Sequence, residues 1–201
     1  SNLSLQLYSW YIKNGHSRNE AETIAVQEFF LNRLGDKAPL CTSFYQRLYL
    51  YQSYCWNAFI RQDFLQYYRY TQKWVNLFDE QPYMIEIETG HYIKGMHNLM
   101  GAQFNLMNPE RLRKTLYRFD QFCSTPLVNN SINNSVQCFV YRTISFFNLH
   151  FLEGSFSEGI KSIPEVEKNL QAYEQYIDKH RVLVFYYKIA CLHFGSGDYE
   201  K

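Results

Sequence analysis

Glu88 and His91 stand three residues apart. On a helix their side chains would share one face, the E-x-x-H spacing with which di-iron helical bundles grip a metal pair. Such a site needs a second copy of the motif and two further carboxylates, yet no other histidine has an acidic residue three positions before it. The pair therefore reads as surface charge pairing, and no metal is expected. Cys191 and His193 would supply a thiol and a base. Residues two apart on a helix point about 200° from one another, however, so this imidazole is badly placed to take the thiol proton. H-E-x-x-H, G-x-S-x-G, phosphate-loop and dinucleotide glycine motifs are all missing. With no complete catalytic set, neither an enzyme nor a cofactor is expected.

Basic residues among rings offer a second chemistry, because single-strand nucleic-acid binders combine phosphate contacts with base stacking. Arg111, Arg113, Lys114 and Arg118 follow Pro109, while Arg61, Arg69 and Lys73 lie among Tyr67, Tyr68, Tyr70 and Trp74. Asp79, Glu80, Glu86 and Glu88 balance this region, and the 20 basic and 19 acidic side chains of the chain leave a net charge of +1. That balance gives no global attraction to nucleic acid or to an anionic membrane. A nucleic-acid partner is not the expected one.

Five cysteines, Cys41, Cys55, Cys123, Cys138 and Cys191, are odd in number and scattered, with no C-x-x-C pair. They suit reduced, core-packing thiols better than a disulfide framework or a zinc site. The densest apolar stretch, from Val182 to Phe194, is broken by Lys188 and His193 and falls short of the roughly 18 residues a membrane span needs. No secretory signal is visible and the chain lacks an initiator Met; Ser1-Asn2 looks like the scar of tag removal. Leu3 is thus expected to lie inside a longer natural protein, with the cytoplasm as the default location.

The elements that must position any site are helical. In 201 residues there are 18 Tyr, 16 Phe and 3 Trp but only 9 Gly and 5 Pro, and 46% of the chain is hydrophobic. So few turn formers argue against sandwiches and barrels, which need a turn signal about every 8 to 12 residues. Leu112, Leu116 and Phe119, and likewise Val166, Leu170, Tyr173 and Ile177, follow 3- and 4-residue steps. Strict alternation is nearly absent; the one strand-like run, Met84 to Glu88, is assigned to the start of a helix. Breaks fall at Gly15-His16, Gly35 to Pro39, Arg61 to Asp63, Gln81-Pro82, Asn108-Pro109, Thr125 to Asn134, Gly154-Ser155, about His180, and Gly195 to Asp198. Pro164 should kink or restart the helix it enters.

Five of these breaks recur. Aligned on His16, Phe64, Pro109, Phe156 and Tyr199, they lie 48, 45, 47 and 43 residues apart, and each interval holds two helices. A two-helix unit cannot bury its apolar face alone, so stacked copies in a solenoid are the expected answer. Toward the C-terminus the repeat resembles a tetratricopeptide repeat. Tyr186, Ile189, Ala190, His193 and Phe194 followed by Gly197-Asp198-Tyr199-Glu200-Lys201 resemble that family's first helix and turn, and Gly154-Ser155-Phe156-Ser157-Glu158-Gly159 resembles the same turn. There the Gly supplies a left-handed residue, Asp or Ser caps the next helix, and Gly159 lets neighbouring helices approach. The likeness covers residues 140–201 well and is compatible before that; the long period marks a degenerate, long-helix variant.

The resemblance implies an all-α, right-handed superhelix of antiparallel hairpins, with residues 3–201 forming one repeat domain. It further implies that polar side chains on the first helices line a concave groove. Counting back from the turn aromatics gives Ser53, Asn98, Ser145 and Lys188 in one column, Gln52, His97, Ile144 and Tyr187 in a second, and Trp56, Gly101, Asn148 and Cys191 in a third. Of the family's carboxylate clamp only Asn98, Asn148 and Lys188 have counterparts here, and that ligand type is not adopted. The expected function is a non-enzymatic module that binds a protein or peptide in the groove. The alternative is a regulatory, sensory or scaffolding domain of a larger bacterial signalling protein. Because Tyr186, Ile189 and Phe194 would stand exposed at the last helix, further repeats or a second copy are expected to cover them. Most of the rings are assigned to wedging helices together, with Trp56 and Tyr187 kept as candidates for recognition.

Overall fold

The computed structural model of the chain describes residues 2–35 and 42–198. Every regular element among them is helical, and no helix is long and apolar enough to cross a membrane. Contacts group the chain into two compact units, Ser1–Ile87 and Glu88–Lys201. Cys41, with part of the Gly35 to Pro39 break, and Tyr199 to Lys201 of the last turn lie outside the described residues.

The first unit contains α1 (Asn2–Asn14), α2 (Glu20–Leu34), α3 (Phe44–Ile60), α4 (Phe64–Glu80) and the single turn α5 (Met84–Ile87). α1 and α2 form one hairpin, α3 and α4 another, and α3 packs on both helices of the first hairpin. Leu7, Val26, Phe30 and Ile60 make the core between them, with Trp10, Tyr11, Phe29, Tyr54 and Trp56 packed around it. The run from Met84 is indeed helical, but it is a separate turn: Glu88 caps α6 instead of continuing α5.

The second unit contains α6 (Thr89–Asn105), α7 (Pro109–Cys123), the turn α8 (Pro126–Asn129), α9 (Ile132–Glu153), α10 (Phe156–Lys161), α11 (Ile163–Ala172), a 3-10 turn (Glu174–Tyr176) and α12 (Lys179–Ser196). α9 packs against α6, α7, α8, α10 and α12. Leu112, Leu116 and Phe119 are buried on α7 and Val166 and Leu170 on α11, as their periodicity predicts. Pro164 restarts the chain as α11 and leaves α10 short. The break placed about His180 lies earlier, at 173–178, and there Ile177 is buried in extended backbone. Gly195 is not a break at all but part of α12.

Four turns share one geometry. A left-handed residue, Gln62, Met107, Gly154 or Gly197, precedes a polar residue, Asp63, Asn108, Ser155 or Asp198. Each polar residue's N–H reaches back five residues, to the carbonyls of Ala58, Gln103, His150 and His193. This is the Schellman closure. The left-handed residue's own N–H donates in every case to a phenylalanine carbonyl: Phe59, Phe104, Phe151 and Phe194. That recurrent phenylalanine was missed in the sequence, where only the turn residues were aligned. Two left-handed positions are not Gly, and the backbone geometry persists without it.

Side-chain caps start most of these helices. Asp63 accepts from the Gln66 amide and Asn108 from the Arg111 amide, each at 3.0 Å. Ser155, expected to cap α10, makes no such bond; its hydroxyl meets the His150 ring at 2.7 Å instead. Asn108→Ala should cost about 1 kcal/mol, read as a lowered urea midpoint with an unchanged slope. Gly159 does mark a close approach: a Cβ there would lie 2.9 Å from Leu192 Cδ1.

Candidate functional site

The three first helices of the second unit, α6, α9 and α12, stand in a row with α9 in the middle. Two rungs of side chains join them. In the first, the His97 ring of α6 stacks on Tyr141 of α9, with centroids 3.9 Å apart and planes 11° from parallel. The Arg181 guanidinium of α12 stands 5.6 Å from the same Tyr141 ring, while its Nε pairs with Asp178 at 3.2 Å. In the second rung, Lys188 of α12 reaches Phe104 of α6, its ammonium 4.8 Å from the ring centroid. His97 to Phe104 and Arg181 to Lys188 are both seven-residue steps, which preserve the helix face. The same step from Tyr141 leads to Asn148.

Lys188 thus crosses the side of the row on which α9 carries Tyr141, Ser145 and Asn148. Ser145 and Asn148 are buried there, so α9 forms a floor with α6 and α12 as its walls. Several polar atoms on this face have unused capacity. His97 Nδ1 and Asn148 Oδ1 are buried without a hydrogen-bond partner among the described residues. Burial, with the Arg181 cation adding to it, holds the His97 imidazole at a pKa of about 4, so it is neutral at pH 7. Burial also lowers the Lys188 ammonium, and among the described residues no carboxylate pairs with it. A second cation–π contact holds it 5.7 Å from the Tyr187 centroid.

The groove columns expected from the sequence are only partly brought together. His97, Lys188 and the exposed Tyr187 lie on the candidate face. Asn98 is half-buried beside His97 on α6. Ser145 and Asn148 are on the same face but buried in its floor, so they are not the solvated groups expected. In the first unit, Ser53 is buried and donates to the Tyr49 carbonyl at 2.8 Å. Trp56 wedges between Tyr8 and Tyr11, with centroids 5.2 and 5.7 Å away, and its ring is architecture. Gln52 is half-buried on α3. Phe104, Tyr141 and Arg181 were missed: anchoring on turns matches equivalent positions, whereas contacts depend on how side chains lean across adjacent helices.

Other expected chemistry is accounted for locally. His91 meets its Glu88 neighbour at 3.0 Å, and among the described residues no group of His, Cys, Asp and Glu could hold a metal. Cys55 and Cys138 are buried, Cys123 and Cys191 half-buried, all as free thiols; the neighbouring Cys123, with burial, pushes the Cys138 thiol up. In the basic stretches, Arg113 pairs with Glu153 and Lys114 with Glu110. Lys73 lies over Tyr51 and Tyr70, and Tyr67 and Trp74 are buried. On α12, Leu183, Tyr186 and Phe194 are exposed as a stripe, but Ile189, expected with them, packs inward.

No protein-family model, no curated protein and no solved structure matches this chain.

Proposed function

We propose that the chain is a non-enzymatic, tetratricopeptide-like array of helical hairpins, and that the α6–α9–α12 face holds a peptide or a segment of a partner protein. The observation that carries this reading is the second rung. Lys188 brings a cation with no carboxylate partner among the described residues across the floor helix onto Phe104, on the face where the buried Asn148 Oδ1 and, one rung away, His97 Nδ1 have no partner among those residues. A peptide backbone supplies both the donors and the acceptors such groups lack, and a peptide carboxylate would complete the ion pair. Tyr187, exposed at the rim, adds a ring that orders cheaply on contact. The recurrence of one turn geometry at 45-, 47- and 43-residue steps supports the stacked-hairpin reading.

Panning a phage-displayed random peptide library against the wild-type chain should enrich a family of peptides. Their affinity is expected to fall about tenfold or more for the Tyr187→Ala/Lys188→Ala variant, a loss of about 1.4 kcal/mol. Failure to enrich, or equal affinity for the variant, would remove this face from the account.

A further inference from the structure

The packing of α7 on α9 brings together two thiols, Cys123 and Cys138, that the peptide-binding face does not use. Two ion pairs fix how these helices lie: Arg113 meets Glu153, and Asp120 meets Arg142 at 2.7 Å. Rising numbers on α7 meet falling numbers on α9, so the two run antiparallel. Cys123 follows Asp120 by three residues and Cys138 precedes Arg142 by four. Each thiol therefore lies one turn along from a measured contact, on the same helix face and in the same direction. The chain that links them is tied down as well. Asn129 donates to the Ser124 carbonyl at 3.3 Å, Asn134 to the Leu127 carbonyl at 3.0 Å and Ser135 to the Val128 carbonyl at 2.9 Å.

The electrostatics agree with this register. Cys123 is the largest cause of the raised Cys138 thiol, ahead of burial. An effect of that size requires the two sulfurs to be neighbours, because interactions between such groups fade with distance. The two are not equivalent. Cys138 is buried in the interface, whereas Cys123, the last residue of α7, is half-buried and meets solvent. A reagent from solution reaches Cys123 first.

We propose that Cys123 and Cys138 are a redox-active dithiol that closes to an intrachain disulfide by exchange with a low-molecular-weight disulfide of the glutathione class. Cys123, as its thiolate, attacks one sulfur of the small disulfide. That S–S bond breaks, and one small thiol leaves with the electron pair and takes up a proton. In the resulting mixed disulfide Cys123 no longer ionises, so its contribution to the raised Cys138 thiol is gone. Cys138 then gives up its proton and attacks the Cys123 sulfur, and the second small thiol leaves. The protein loses two electrons and two protons, and two molecules of the small thiol carry them away. The new bond ties the end of α7 to the helix at the centre of the second unit.

No Lys or Arg lies between Arg118 and Arg142, so trypsin releases residues 119–142 as one peptide, which holds Cys123 and Cys138 and no other cysteine. The whole chain is equilibrated in glutathione buffers of stepped composition, natively and in concentrated urea, then quenched, alkylated, digested and weighed. The disulfide peptide is two hydrogens lighter than the dithiol and takes up no alkyl group. A fold that holds the sulfurs together favours the bond between them. In the native chain, half-oxidation should therefore occur where reduced glutathione squared over its disulfide is about tenfold or more higher than in urea. In Cys123→Ser, a change at a half-buried position, the native Cys138 should take up glutathione far more slowly than it does in urea. The proposal is overturned if no light peptide forms natively, or if half-oxidation in urea needs no more oxidising a buffer. Disulfide-linked dimers in place of the light peptide, or equal glutathione uptake by Cys138 with and without urea, would also overturn it.

Discussion

Acidifying the protein from pH 7 to pH 5 should cost about 2 kcal/mol of stability through His97 alone, rising to about 3 kcal/mol near pH 4. In the folded chain this imidazole is held neutral down to about pH 4, against 6.5 when free. Between those values the unfolded state binds a proton that the folded state refuses, so stability rises with pH across that window and is complete above it. The groups that face the ring explain the refusal. Tyr141 stacks flat against it and Arg181 stands on the same tyrosine, so a new imidazolium would gain no anion and would meet a cation. In His97→Gln, urea midpoints taken from pH 7.5 to 4.5 should fall less steeply than in the wild type by this amount. Parallel slopes in the two proteins would show that His97 titrates freely. Carboxylates contribute to the lower half of the range, so the difference between the two curves is the quantity to compare.

Gly195→Ala is the second large effect, and its sign is the informative part. In an exposed helix this change stabilises by about 1 kcal/mol, because alanine loses less backbone entropy. Here a Cβ would fall 2.3 Å from Phe156 Cε1 and 2.6 Å from Cδ1 and Cζ. The Phe156 ring lies across the helix backbone where α10 meets α12, and it must leave that seat. Overpacking of this kind costs about 1–3 kcal/mol, which offsets or exceeds the gain of about 1 kcal/mol, so the net change should be a loss of up to about 2 kcal/mol. Adding Phe156→Leu should return most of it, giving a coupling energy between the two sites. If Gly195→Ala raises the urea midpoint, the ring is not held there.

The turns were the most legible part of the sequence. Gly154-Ser155, Asn108-Pro109 and Arg61 to Asp63 are local chemistry, and each turn falls where its residues place it, although Ser155 does not cap and Gln62 and Met107 take the left-handed position without being Gly. Gly159 was legible for the same reason, since a small residue at a fixed distance from a turn has few uses other than close approach. Gly195 misled because glycine signals both breaks and tight packing, and only the position of Phe156 distinguishes them. The end of α11 was misplaced because Tyr173 and Ile177 keep helical spacing while the chain between them is a 3-10 turn running into extended backbone. The candidate face was the least legible. Its first rung joins residues 44 and 40 positions apart, His97 with Tyr141 and Tyr141 with Arg181, and each contact depends on the direction in which a side chain leaves its helix. A polar column read from turn spacing lands on the helices that make these contacts but not on the side chains that make them, so Ser145 was assigned to solvent and is buried.

The position of α9 has a consequence for how the second unit comes apart. α6, α7, α8, α10 and α12 all rest on it, whereas α11 has α10 as its main neighbour. Contacts of this kind link segments near one another along the chain, so a hairpin can form early and recruit the next without a long loop to close. Opening is not so evenly shared. Fraying α11 leaves the other interfaces standing, but unwinding α9 releases five at once. The buried faces of Phe147, Tyr141 and Cys138, all on this one helix, therefore set the cooperativity of the unit, and unwinding it opens most of the second unit.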